Sequence, residues 1–219
     1  MKYKKIGVLT TGGDCPGLNA GIRAVVRTSI YNELAIAGVM HGFDGLIDAN
    51  FVELSSHSVS NILQRGGTIL KTARSERFKT VEFRIKAFEN IKKAGIEALI
   101  VLGGDGSFRG IEKFSNEYSI PSIGIPKTID NDIYGTDFSI GFDSALNTVV
   151  QAIDKIRDTA DSHNRLFFIE VMGRDAGMIA LYSGIAGGAE AILIPETETQ
   201  LEQIIKILER GWHRKKNLL

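Results

Sequence analysis

The chain has 219 residues, room for one large domain or two small ones with an ample core. Lys plus Arg and Asp plus Glu number 26 each, so no charge excess points to nucleic acid or an acidic membrane, and a bound anion must be met locally. The single cysteine, Cys15, excludes an internal disulfide and fits a reducing cytosol. No apolar run nears the ~18 residues of a membrane span and no signal-peptide core opens the chain, so a soluble, cytoplasmic protein is expected.

Glycine is abundant, 24 of 219 residues against a usual share of about 7 %. The glycines gather behind apolar runs, where bare backbone can approach a ligand closely. The first such unit is an apolar β-type run over 6–10, a turn containing Gly12-Gly13-Asp14, and a helix predicted from about residue 18, with Ile22, Val25, Val26 and Ile30 at helical spacing. Strand, glycine turn and helix in that order aim free N–H groups at a phosphate, although tight turns use the same residues. Cys15 beside the glycines reads as a small filler rather than a reactive thiol. Arg23 and Arg27 share one helix face, as ordinary solvated charges or as half of an anion site.

A second strand is predicted over 34–40, then a polar stretch with a short helix over 59–63, then Arg65-Gly66-Gly67-Thr68. Lys71, Arg74 and Arg77 follow, a basic cluster suited to phosphate oxygens or, with equal weight, to solvent. A helix over 81–94, with Ile85, Phe88 and Ile91 inward, stops at Gly95. The uniformly apolar Ala98-Leu99-Ile100-Val101-Leu102 predicts a strand buried on both faces of a parallel sheet. It enters Gly103-Gly104-Asp105-Gly106-Ser107 where a helix begins. Here the phosphate cradle outweighs the plain turn: glycines let N–H groups touch the ligand, Asp105 can hold Mg²⁺ against phosphates, and Ser107 can act as helix cap and phosphate contact.

A buried strand over 122–125 precedes Pro126-Lys127-Thr128-Ile129-Asp130-Asn131-Asp132, read as one short loop at the carboxyl end of the sheet, where open α/β sheets bind ligands. A carboxylate beside a substrate hydroxyl can take its proton, and Asp130 is the candidate base. Asp132 would orient a nearby cation or help hold a metal; the competing reading makes Asn131-Asp132 a plain turn. Beyond it the pattern predicts a long helix over 142–160, a strand over 166–171, and a turn at Met172-Gly173-Arg174 with Arg174 set to meet an anionic substrate. A helix near 176, a last strand over 191–194 and a helix over 201–210 complete the chain. Strands alternating with helices predict a doubly wound parallel α/β sheet in two lobes, 1–140 and 141–219.

Together these stretches resemble the phosphofructokinase family. The resemblance rests on Gly12-Gly13-Asp14 with Pro16-Gly17-Leu18-Asn19-Ala20, on the loop over 103–107, on Thr-Ile-Asp-Asn-Asp over 128–132, and on Val171-Met172-Gly173-Arg174. They occur in the family's order across nearly the whole chain. The second glycine loop is the least specific, since NAD kinases and diacylglycerol kinases resemble it there. The resemblance implies a glycolytic kinase that transfers the γ-phosphoryl group of ATP to the 1-hydroxyl of fructose 6-phosphate, with Mg²⁺. It implies a larger nucleotide-binding lobe and a smaller, incomplete lobe for the sugar phosphate.

Carried over residue by residue, the family's pattern makes Asp130 the base, Arg74 and Arg174 the charges that neutralise the moving phosphoryl group, and Asp105 the magnesium residue. Gly13, Arg74, Gly104, Asp105, Gly106 and Ser107 match nucleotide contacts. Thr128, Asp130, Met172, Gly173 and Arg174 match sugar-phosphate contacts, and Arg165 matches an arginine that reaches the sugar phosphate of a neighbouring subunit. That last role requires a homo-oligomer, a tetramer in bacterial members. Arg23, Arg27, Arg157 and Glu190 match an effector site that binds ADP.

Two departures bear on function. Lys127 stands where many ATP-using bacterial members have glycine and looks like the pyrophosphate-using branch, whereas Gly106 stands where that branch has an aspartate. Glycine leaves room for the nucleotide's α-phosphate, so ATP is favoured, with pyrophosphate as the alternative donor. The family also continues well beyond residue 219. The chain is therefore expected to be a fragment or truncated product, and a non-catalytic nucleotide-binding fragment is the competing reading.

Overall fold

In a computed structural model that describes residues 3–163 and 165–216, the apolar runs of the first half become strands of one sheet. They are β1 (Lys5–Thr10), β2 (Ala35–Val39), β3 (Phe51–Glu53), β4 (Ala98–Gly103), β5 (Ser122–Thr128) and β6 (Ile140–Gly141). The spatial order is β3-β2-β1-β4-β5-β6. β1 pairs in parallel with β2 on one side and with β4 on the other, Leu9 lying opposite Val39 and Val101. The direction of winding thus changes between β1 and β4, and the crevice outside their carboxyl ends is the topological switch point.

Among the described residues, seven helices alternate with or follow these strands: α1 (Leu18–Tyr31), α2 (Phe43–Ile47), α3 (Val81–Lys93), α4 (Asp105–Tyr118), α5 (Phe142–His163), α6 (Met178–Ala186) and α7 (Leu201–Lys216). A 3₁₀ turn, Arg77–Lys79, precedes α3. One hydrophobic cluster joins Leu9, Val39, Leu99 and Val101 of the sheet to Phe43, Leu46, Ala87, Ile91, Ile111 and Phe114 of the helices. Phe43 stacks on Phe78 at 4.1 Å between ring centroids, and Phe78 meets Phe114 at 5.3 Å. Burying one such side chain contributes about 1.5–3 kcal/mol. By its contacts the chain divides into two compact units, Met1–Thr128 with Ile133–Gly141, and Ile129–Asp132 with Phe142–Leu219.

Several expectations change. The sheet is parallel except at its margin, where β3 runs antiparallel to β2; β3 and α2 are too short for periodicity to announce them. No helix forms over 59–63, because that stretch closes i→i+3 turns (Ser60 N to His57 O, Arg65 N to Ile62 O) instead of a helical ladder. Pro126, Lys127 and Thr128 belong to β5 rather than to a loop: Pro126 lies in register with Gly103, and Lys127 and Thr128 pair with Ile140 and Gly141.

The runs over 166–171 and 191–194 are not strands, since neither pairs with another segment among the described residues. Leu166, Phe167, Phe168 and Ile169 accordingly stay exposed. Helices α5 and α7 run a few residues further than expected.

Candidate functional site

The first unit carries the glycine loops. β1 ends in two buried threonines, Thr10 and Thr11, and Thr11 N–H donates to Leu102 O at 3.0 Å, tying the end of β1 to the end of β4. The chain then turns through Gly12 at φ 87°, a conformation that L side chains rarely adopt. A Cβ on Gly12 would lie 3.5 Å from Ser107 Oγ and 3.7 Å from Lys127 Nζ. The two loops and the end of β5 therefore converge on one spot at the switch point.

Lys127 is only 3 % exposed, and its Nζ donates to Gly13 O at 2.5 Å. Gly103 has no room for a side chain, since a Cβ there would meet Ser107 Cβ at 2.4 Å. Gly13 and Gly106, in contrast, have nothing within 4 Å of a Cβ position. The cradle thus has a packed floor and open space above it. Gly104 is the N-cap of α4, and Ser107, whose N–H donates to Gly104 O at 2.9 Å, lies inside the first turn. The expectation that Ser107 caps the helix is therefore corrected. Free N–H groups at the start of a helix, together with a buried ammonium, suit a phosphate.

Asp105 lies in the same turn with its side chain 2.9 Å from Arg109 Nη2, and it remains exposed. Among the described residues no three His, Cys, Asp or Glu side chains cluster to hold an ion unaided. A lone carboxylate beside an open phosphate cradle nevertheless fits Mg²⁺, which keeps several waters and is shared with substrate phosphates.

Arg74 is exposed at the end of a segment bound to the first loop, where Gly12 N–H donates to Ala73 O and Thr72 Oγ1 donates to Gly12 O at 2.9 Å. Arg77 is removed from the phosphate cluster. Its guanidinium bonds both carboxylate oxygens of Asp48 at 2.8 Å and covers the Phe83 ring. Cys15 is buried, with its thiol directed at Ile140 O, and burial pushes it up from an ordinary 9.0 to about 11. That is an inert packing residue.

Arg23 spends one N–H on Val59 O at 2.6 Å, while Arg27 is exposed one turn further along α1. The remaining effector candidates, Arg157 and Glu190, belong to the other unit.

In that second unit Asp130 follows β5 by two residues, Asn131 is left-handed at φ 52°, and Arg174 is left-handed at φ 54°. Asn accepts that region readily, whereas an arginine adopts it at a steric cost. Gly173 adopts φ 147°, and a Cβ there would come within 2.4 Å of Ala176 O, so the 172–175 turn requires glycine. Arg174 is 83 % exposed, with Nε 3.5 Å from Asp175. Met172 and Arg165 are exposed as well. Arg157 Nη1 donates to Gly187 O, three residues before Glu190.

Sequence reading missed two features. One is the bond from Lys127 to the first loop, for which no local pattern exists. The other is Asn19, a buried amide on the apolar side of α1; a polar residue among Leu18, Ile22 and Val26 was the available signal.

Comparison with known proteins gives a consistent result. The chain matches the family described as Phosphofructokinase over residues 5–219. An ATP-dependent 6-phosphofructokinase of Natranaerobius thermophilus is 60 % identical over 213 residues, which are 97 % of this chain and 66 % of that protein. ATP-dependent 6-phosphofructokinase 2 of Bacteroides thetaiotaomicron is 55 % identical, covering 98 % of this chain and 66 % of its own length. The phosphofructokinase of Saccharomyces cerevisiae superposes with a TM-score of 0.93 at 38 % identity, over 98 % of this chain and 32 % of that one. A pyrophosphate-dependent phosphofructokinase of Marinobacter aquaeolei shares the fold, with a TM-score of 0.84 at 23 % identity, over 95 % of this chain and 57 % of that one. The chain spans about two thirds of the length of the curated relatives it matches.

Proposed function

The chain belongs to the phosphofructokinase family, and from that premise we propose that it transfers the γ-phosphoryl group of ATP to the 1-hydroxyl of fructose 6-phosphate, a cytosolic step of glycolysis. The observation that carries the choice of donor is the open space at Gly106 and Gly13 beside the packed floor of the cradle. A nucleotide's α-phosphate needs that space, and an aspartate at 106 would fill it with a carboxylate. The relatives at 55–60 % identity are ATP-dependent 6-phosphofructokinases, which supports the same donor.

In this reading Gly13, Gly104, Gly106 and Ser107 line the phosphate path, with Arg74 and Lys127 supplying positive charge. Asp105 would hold Mg²⁺, which when bound neutralises phosphate charge as it develops. Asp130 accepts the proton of the sugar's 1-hydroxyl as O1 bonds to the γ-phosphorus and the bond from phosphorus to the β-phosphate bridging oxygen breaks, leaving ADP. Such a base contributes about 10²–10⁴-fold. Thr128, Met172, Gly173 and Arg174 orient the sugar phosphate, and Arg174 adds charge complementary to the moving group. The same proposal includes Arg165 acting on a neighbouring subunit of a homotetramer, and ADP as an effector at Arg23, Arg27, Arg157 and Glu190. It also assigns the larger lobe, 1–140, to the nucleotide and the smaller, 141–219, to the sugar phosphate, apart from Thr128 and Asp130, which act on the sugar.

The test is the formation of fructose 1,6-bisphosphate from fructose 6-phosphate and Mg²⁺, with ATP and pyrophosphate offered in parallel. Turnover with ATP alone is expected. Turnover with pyrophosphate alone would make Lys127 the deciding residue, and a folded chain inactive with both would be a non-catalytic nucleotide-binding fragment.

A further inference from the structure

The segment from Arg65 to Arg74 contains Arg65, Lys71 and Arg74 and no acidic residue. It has no regular secondary structure. Leu70, 1 % exposed, anchors it in the core. Neutral side chains hold the rest by bonding its backbone. Asn19, in the first turn of α1 and 2 % exposed, donates through Nδ2 to Arg65 O at 3.0 Å and Gly66 O at 3.3 Å. Its Oδ1 accepts from Ile69 N–H at 2.8 Å. Thr10 Oγ1 donates to Lys71 O at 2.7 Å and contacts Thr68 Oγ1, and His41 N–H donates to Leu70 O. Thr72 Oγ1 and Gly12 N–H then fasten residues 72 and 73 to the first glycine loop. Arg65, Lys71 and Arg74 themselves are exposed.

We propose that Asn19 is a positioning residue of the phosphate-donor site: it fixes the backbone strap over 65–73 so that Arg74, the next residue, is delivered to the nucleotide's phosphates without spending charge on holding the strap. The inference rests on the nucleotide reading given above. Asn19 suits this task because an amide offers two donors and an acceptor at once. A carboxylate could not donate to the two carbonyls, and an apolar side chain would remove all three bonds to the strap.

The test is calorimetric titration of the 219-residue chain with ATP, for wild type, Asn19→Leu, Arg74→Ala and the double variant, with amide hydrogen exchange over 65–73 in each. Wild type is expected to bind ATP. Asn19→Leu is expected to speed exchange at Ile69 and to weaken ATP about 10-fold or more, an effect that largely disappears in the Arg74→Ala background, because positioning has no value once the positioned group is gone. Thr72→Val, a near-isosteric change at the other end of the strap, is expected to behave in the same way and carries the test should Asn19→Leu fail to fold. An equal loss of ATP affinity with and without Arg74, or faster exchange with unchanged affinity, would overturn the role of Asn19. Wild type that binds no ATP would overturn the nucleotide reading first and this role with it.

Discussion

The ammonium of Lys127, at the carboxyl end of β5, donates to the carbonyl oxygen of Gly13 in the loop after β1, although the two residues are 114 positions apart in the chain. A buried cation is thereby built into the wall of the cradle, and it fastens the first loop to a strand that is not its neighbour in the sheet. Replacing it with methionine keeps the stem and removes the charge. Lys127→Met is expected to cost about 1–3 kcal/mol, the range for losing a hydrogen bond made by a charged donor, read as a lower Tm, and to weaken ATP binding as well. A variant with unchanged Tm and unchanged ATP affinity would mean that the bond contributes nothing.

Gly106 makes the complementary prediction. A side chain there meets nothing within 4 Å, and an acidic residue in the first turn of α4 is compatible with the helix dipole. Gly106→Asp should therefore fold with near wild-type stability. Two unit charges about 5 Å apart in a partly screened site repel by about 3 kcal/mol, so its affinity for ATP should fall by about 100-fold, as calorimetry would register. Binding as tight as wild type would remove the argument for the nucleotide donor.

Much of this was legible in the residues, for identifiable reasons. β1, β4 and the helices α1 and α3 carry long apolar patterns, and each occupies nearly its expected bounds. The glycine loops were legible because a positive φ or a close approach leaves only glycine as a solution. The strands expected over 166–171 and 191–194 were not reliable, because an apolar run is a strand only when a neighbour takes its N–H and C=O groups. Contacts such as Lys127 to Gly13, or Asn19 to the strap over 65–69, depend on tertiary placement that no local spacing encodes.

Arg84 is 1 % exposed. It bonds Glu117 through Nε at 2.6 Å and Nη2 at 2.8 Å, and it donates through Nη1 to the carbonyls of Phe78 and Lys79. Arg84→Met should cost roughly 3 kcal/mol, the low end for breaking a buried pair, because Glu117 keeps some contact with water. The hydrogen bond from Arg84 also holds the Glu117 carboxyl below its ordinary 4.5. A depressed carboxylate contributes stability that is present above its unfolded value and is lost as pH falls through the folded one. Denaturant titrations from pH 6 downward should therefore show a shallower loss below about 4.5 in Glu117→Gln than in wild type. Parallel acid limbs would contradict the pairing.

Cys15 gives the opposite sign. With its thiol raised from 9.0 to about 11, the native state keeps a proton that the unfolded state has lost, so stability falls as pH rises from 9 to 11. Cys15→Ala should reduce that fall, and the native thiol should resist alkylation at pH 8 until the protein is unfolded. Rapid alkylation of the folded protein would mean that Cys15 is an accessible nucleophile rather than packing.

The most direct test of the proposed chemistry follows a labelled γ-phosphoryl group from ATP to fructose 6-phosphate, with wild type and Asp130→Asn measured side by side, alongside ATP binding to each. The account predicts label on the 1-position of the product with wild type, and a rate lower by about 10²-fold or more with Asp130→Asn at unchanged ATP affinity. Equal transfer by the two proteins would remove Asp130 as the base, and no transfer by a wild-type chain that binds both ligands would contradict the kinase reading itself.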